Sequence, residues 1–261
     1  MTGARVLARG AENTTYLVDG IVIRHSTDLR AQQREVTMLR ALAPAVSVPI
    51  PRPLFHDRRG RFGYRHLSGI PLIEAPRFDP TSVGEGIVEV LRAFHNLAPQ
   101  WTLPIDDYAP QQWHDDALAD FARIRTRLHP DRRRLIERTL DAGPPAVVEG
   151  LLAQHNDLGA EHLLVDGDGR LCGILDWTDA ARAEPVRDLG SLYRDLGPDF
   201  AARVASGLGV ELDDAMLDGV RFHARCRWLE DAAFAVGDPA ARRAYLTNAD
   251  RTFDHTFATA A

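Results

Sequence analysis

The residues with the most chemical content fall in one stretch, residues 154–177, QHNDLGAEHLLVDGDGRLCGILDW. His155-Asn156-Asp157-Leu158-Gly159 is turn-like, so Asp157 is expected in a loop. A strand is expected to begin directly after His162, and a second strand ends at Asp176, with Gly167-Asp168-Gly169 as the turn. A hairpin of this length returns Asp176 towards His162, with Asp157 at the same end. Two carboxylates and an imidazole at one place can hold a divalent cation on a phosphate and take a proton from a hydroxyl. A single loop aspartate is more often a turn former or a cap, so it is the trio that points to chemistry. By residue type alone, a hydrolase with His155, Asp157 and His162 as metal ligands fits too, but it leaves the first part of the chain without a role.

Composition narrows the chemistry. All 31 basic residues are arginine. A phosphate-loop lysine, a Schiff-base lysine and a serine–lysine nucleophile pair are therefore impossible. A basic side chain that meets phosphate here must do so as a planar guanidinium fork.

The elements that must position these residues divide in two. In the first 67 residues, a turn-rich RGAENTTY leads into YLV, the turn Asp19-Gly20 and IVIR, a strong hairpin signal. Leu29, Val36, Leu39 and Leu42 then recur at helical spacing, with Ser26, Thr27 or Asp28 as the cap. Pro44, Pro49, Pro51 and Pro53 end that helix and mark an extended crossing, and a further hairpin turns near Arg59-Gly60. Beyond Leu67 the pattern is helical. Val83, Ile87, Val90, Leu91 and Phe94 line one helix face, and further helices are expected over 111–128, 131–141, 186–206, 212–236 and 239–257. The layout is α+β: a small β-rich lobe over 1–67 and a larger α-rich lobe over 68–261.

Hydrophobic content of 45% and charged content of 26% are ordinary for a globular protein. No apolar run reaches membrane-span length, the opening MTGARVLARG lacks a signal-peptide core, and two cysteines make no disulfide framework. The expectation is a cytoplasmic monomer without a membrane partner. Net charge is −6, distributed unevenly: residues 1–67 carry 11 Arg against 5 acidic residues, and residues 68–261 carry 20 Arg against 32. That pattern suits an anionic ligand on the first part and a cationic one on the second, and its sign argues against nucleic acid as a partner of the larger part.

His155-Asn156-Asp157, His162 and Leu175-Asp176-Trp177, followed by Glu184-Pro185 and Asp188-Leu189, resemble the aminoglycoside phosphotransferase family, which shares the protein-kinase-like bilobal fold. The resemblance implies a nucleotide-covering hairpin over GAENTTYLVDGIVIR, with Gly10, Asn13 and Thr14 at its tip. Arg24 stands where kinases place their phosphate-binding lysine, and Glu35, eleven residues on, would be its acidic partner. FGYRHL matches the connection between lobes, with Arg65, His66 and Leu67 offering backbone groups to a purine and Tyr64 behind it. His95 matches a helix position read as structural. The implied cofactors are ATP or GTP with Mg²⁺. Asp157 would orient the acceptor hydroxyl and accept its proton, Asp176 would bind the metal, and His155 would brace the loop.

His162 departs from the family's usual asparagine, as it does in the macrolide-phosphorylating branch. Mg²⁺ prefers oxygen, and an imidazole must be neutral to ligate, so activity is expected to fall as this ring protonates. Acidic pairs accompanied by Trp101, Tyr108, Trp113, Phe222 and Trp228 suit a cationic hydroxylated substrate. Asp179, Glu184, Glu230 and Asp231 are the candidate substrate contacts. Any one such pair is more often a solvated helix face. Aminoglycosides, basic cyclic peptides and macrolides fit the description, and a non-antibiotic metabolite kinase or a non-catalytic nucleotide- or drug-binding protein stays open.

Overall fold

The computed structural model describes residues 3–9 and 13–258. Ten strands are present among them: β1 (Arg5–Arg9), β2 (Asn13–Val18), β3 (Ile21–Ser26), β4 (Phe55–His56), β5 (Arg61–Arg65), β6 (Ile70–Pro71), β7 (Leu152–Gln154), β8 (Leu163–Val165), β9 (Leu171–Ile174) and β10 (Ala181–Ala183). The α-helices are α1 (Leu29–Leu42), α2 (Pro80–Leu97), α3 (Pro110–Ile124), α4 (Pro130–Asp141), α5 (Arg187–Leu196), α6 (Pro198–Leu208), α7 (Asp214–Gly237) and α8 (Arg243–Phe253). The fold is α+β. The chain gathers into two compact units, residues 1–104 with 162–180, and residues 105–161 with 181–261.

The first unit is built on an antiparallel sheet in the order β1-β2-β3-β5-β4. Asp19 and Gly20 both take positive φ, 48° and 76°, which matches the right-handed twist of the flanking strands and sets the β2–β3 register from Val18 opposite Ile21 to Asn13 opposite Ser26. That register fixes Arg24 opposite Thr15 on one side and Phe62 on the other. The α1 helix starts where Asp28 accepts from the Arg30 and Ala31 amides, both at 2.9 Å, and so satisfies two otherwise orphaned donors. Its inner face buries Glu35 together with Val36, Leu39 and Leu42. A smaller sheet, β6-β8-β9, completes the unit, and α2 packs on β9.

The second unit is helical. Phe121, Ile124, Ile136, Phe222, Trp228, Leu229 and Phe253 form its core, each aliphatic or aromatic side chain contributing roughly 1.5–3 kcal/mol by leaving water. Helix α5 lies against α7 so closely that a Cβ added at Gly190 would stand 2.7 Å from His223 Cβ. The short antiparallel pair β7–β10 joins Gln154 to Ala181 and so carries the chain into the His155–Asp157 turn.

Several elements differ from the pattern-based expectation. The segment expected as one helix over 186–206 is two, because Gly197 at φ 87° turns the chain and Pro198 offers no amide to continue the ladder. The helix expected over 111–128 ends at Ile124 and passes into a 3₁₀ turn over 125–127, and the last one begins at Arg243. Strands β1, β6, β7 and β10 had no counterpart in the pattern. Among the described residues, no helix is long and apolar enough to cross a membrane.

Candidate active site

Within the first unit, four side chains meet around Arg24. Its Nη1 donates to Glu35 Oε1 at 2.9 Å and lies 3.1 Å from Asp176 Oδ1, while Nη2 donates to the Thr178 hydroxyl. Thr178 donates in turn to Asp176 Oδ1 at 3.0 Å. The guanidinium carbon sits 5.9 Å from the Phe62 ring centroid, and Arg24 is buried. Burial alone would ease a proton off Arg24, but the Glu35 and Asp176 carboxylates outweigh it and hold the guanidinium charged. Glu35 goes the other way. Loss of hydration pushes its carboxyl up to about 7, because Arg24 only partly compensates and Asp176 adds negative charge nearby. Asp176 is the open end of the cluster, with a side chain 42% exposed, whereas that of Glu35 is 3% exposed.

Asp176 owes its position to the hairpin. The Leu175 amide donates to the His162 carbonyl at 2.8 Å, which closes the β8–β9 ladder just before the aspartate. Asp176 then takes φ 56°, a left-handed conformation uncommon for a residue with a side chain. Trp177, fully buried, anchors the next position through an edge-on contact with Phe94 at 5.3 Å and an indole bond to the Ile174 carbonyl. A hard carboxylate oxygen, half-exposed beside a hydroxyl, suits Mg²⁺, and the guanidinium next to it suits an anionic phosphate. The imidazole of His162 is a poorer Mg²⁺ donor, and it belongs to the neighbouring strand end at the same open end of the hairpin.

Within the second unit, the Asp157 loop is held from several sides. Asp188, buried in the first turn of α5, accepts the amides of His155 and Asn156, each at 2.8 Å. Desolvation raises the Asp188 carboxyl above its ordinary value, against the pull of those two amides and of the nearby Arg227 charge. Asn156 sits at φ 70° and donates from Nδ2 to Asp106 at 2.7 Å. The Asp157 amide donates to His155 Nδ1 at 3.3 Å, so the histidine ring braces the turn from inside. The Asp157 carboxylate, 27% exposed, meets Arg227 Nη1 at 3.2 Å.

Comparison with known proteins adds the family. A family model described as the phosphotransferase enzyme family matches residues 3–223. The chain belongs to that family. Viomycin phosphotransferase of Streptomyces vinaceus is 28% identical over 136 residues, 49% of this chain and 45% of that protein. The chain spans less than half the length of the curated relatives it matches. Among solved structures, the GDP complex of aminoglycoside 2′-phosphotransferase-IIIa superposes with a TM-score of 0.66 at 19% identity, over 98% of this chain and 93% of that one. A macrolide 2′-phosphotransferase from Brachybacterium faecium superposes with a TM-score of 0.58 at 18% identity, over 99% and 92%. At such identities the likeness shows the fold.

The remaining residues of this chain singled out from sequence lie as follows. Asn13 and Thr14 are half-buried at the start of β2, paired with Ser26 and His25, and Gly10 lies outside the described residues. Arg65 ends β5 and is exposed, and Leu67 follows it half-buried. Asp179 is exposed, and Glu230 has a side chain 53% exposed. Glu230 lines a cavity of about 370 Å³ with Tyr108, Trp113, Asp116 and Asp120. Glu184 and Asp231 are instead taken up by the packing. Glu184 accepts from the Val148 amide and meets His223 Nε2 at 3.1 Å, and Asp231 pairs with Arg194 at 2.8 Å. Thr178 and Arg227 escaped notice in the sequence, whereas Asp188 stood in the Asp188-Leu189 match and Asp106 among the acidic pairs, neither with a role at the loop.

Proposed function

We propose that this chain is a small-molecule kinase that moves the γ-phosphoryl group of ATP or GTP to a hydroxyl of a cationic antibiotic and so inactivates it. The observation that carries the reading is the buried Arg24–Glu35 pair joined to Asp176 and Thr178. In a chain without lysine, that cluster offers a fixed cation for nucleotide phosphates and an acidic residue that stays open. Family membership and the viomycin, aminoglycoside and macrolide phosphotransferases among its relatives support the antibiotic as acceptor.

In this reading, residues 1–67 bind the nucleotide, and residues 68–261 supply the base and the acceptor site. Asn13 and Thr14 cover the phosphates, the backbone at Arg65 and Leu67 faces the purine, and Arg24 holds the phosphates in register. Asp157 orients the acceptor hydroxyl and takes its proton as the new O–P bond forms. The bond to the β-phosphate oxygen breaks, and the nucleoside diphosphate leaves. Mg²⁺, held by Asp176 with His162 as the second candidate ligand, supplies charge neutralisation at the phosphates when bound. Catalysis then rests on positioning and electrostatics, as phosphoryl transfer demands. Asp179 and Glu230 are the carboxylates offered to substrate cations. The activity belongs in the cytoplasm, with the chain acting as a monomer.

The test is nucleotide consumption by the purified chain with viomycin, kanamycin, streptomycin, spectinomycin and erythromycin, using Asp157→Ala as control. Acceptor-stimulated consumption that Asp157→Ala abolishes is expected. Cells protected equally well by Asp157→Ala would mean that the protein sequesters the drug, and the kinase reading would fall.

A further inference from the structure

Arg227 belongs to no motif in the sequence, yet it touches the residue read above as the base. It projects from α7, whose neighbouring positions Cys226, Trp228 and Leu229 are buried, so its Cα is fixed by packing. Its guanidinium forks between two acceptors on the loop, Asp157 Oδ1 at 3.2 Å and the Asn156 carbonyl at 2.5 Å. Glu230 Oε2 lies 3.5 Å from the same Nη1. The guanidinium carbon stands 4.9 Å from the centroid of the Trp113 ring, and only 16% of the side chain is exposed. A stacked, largely desolvated arginine with two loop acceptors has little freedom to turn.

We propose that Arg227 is the positioning residue for Asp157, tying its carboxylate and the left-handed Asn156 peptide into one orientation from a rigid helix. This rests on the reading of Asp157 as the base. Arg227 shares the loop's backbone with other anchors. Asp188 holds two of its amides, and Asp106 holds the Asn156 side chain. What Arg227 adds is a direct hold on the Asp157 carboxylate, which none of those contacts makes. A guanidinium can satisfy the carbonyl and the carboxylate together. An ammonium in its place is a point charge that cannot span both.

The experiment uses the full chain with the same five acceptors and compares Arg227→Ala and Arg227→Lys with the wild type. Arg227→Ala is expected to lower kcat on the order of 10- to 100-fold, the scale of a misplaced reacting group, with the nucleotide KM little changed. Millimolar guanidinium chloride should restore part of that kcat, and sodium chloride at equal ionic strength should not. Arg227→Lys should remain well below wild type. Wild-type kcat in either variant overturns the proposal, as does a loss that guanidinium leaves untouched. If Arg227→Ala does not fold, Arg227→Lys alone decides by the same kcat criterion. Turnover that survives Asp157→Ala, or no turnover by the wild type with any acceptor, overturns the reading of Asp157 and this inference with it.

Discussion

Arg24 and Glu35 show how a buried ion pair can be uneven. The contact is close, yet both partners have left water, and for the carboxylate that loss outweighs the attraction of Arg24. The folded state therefore holds a proton on Glu35 up to about pH 7, where an unfolded chain would release it near the usual 4.5. Glu35 thus contributes stability that is fully present below about pH 4.5 and lost as pH rises to about 7. Thermal unfolding of metal- and nucleotide-free protein should show wild type losing roughly 2–3 kcal/mol relative to Glu35→Gln across that window. A constant difference between the two proteins would contradict the assignment. At His162 the expectation is chemical. His162→Asn offers a hard carbonyl oxygen and should keep most of the activity, whereas His162→Ala should lose at least about tenfold. Full activity in the alanine variant would remove His162 from the metal site.

At the scale of elements, what was legible in the sequence is what is local. The Asp19-Gly20 hairpin, α1 with its Asp28 cap, and the β8–β9 hairpin each rest on neighbouring residues, and the return of Asp176 towards His162 is set by that last hairpin. Strands β7 and β10 pair across 27 positions, Gln154 with Ala181, and no short-range pattern marks either one. Strand β1 exposes Val6 and Leu7, which leaves its hydrophobic signal weak. Glu184 and Asp231 read as substrate contacts because carboxylates are usually exposed and open to a ligand. Their partners, His223 and Arg194, come from other elements, and that pairing is visible only in three dimensions. Asp188 is where helix and loop are joined. Asp188→Ala would leave the His155 and Asn156 amides buried without an acceptor, at a cost of about 2–5 kcal/mol, seen as a lowered urea midpoint. A midpoint unchanged from wild type would show that the loop finds other partners.

For the whole molecule, the distribution of charge and the family assignment point the same way. The arginine-rich first 67 residues suit a nucleotide, and the acidic remainder suits a cationic acceptor. The overall α+β layout was legible because β-rich and helix-rich patterns occupy different parts of the chain. The contact-defined units were not, because the β8–β9 hairpin and the DWTDA segment, residues 162–180, cluster with the first 104 residues. The acceptor hydroxyl was not legible either, since the proposed acceptor contacts, Asp179 and Glu230, stand far apart in the sequence. The central claim is transfer of a phosphoryl group with Asp157 as base. Its most direct measurement is the mass of each antibiotic after incubation with the chain, Mg²⁺ and ATP or GTP. The account predicts that at least one antibiotic gains the mass of a single phosphoryl group with wild type and none does with Asp157→Ala. Unmodified antibiotics throughout, or an equal gain with Asp157→Ala, would contradict it.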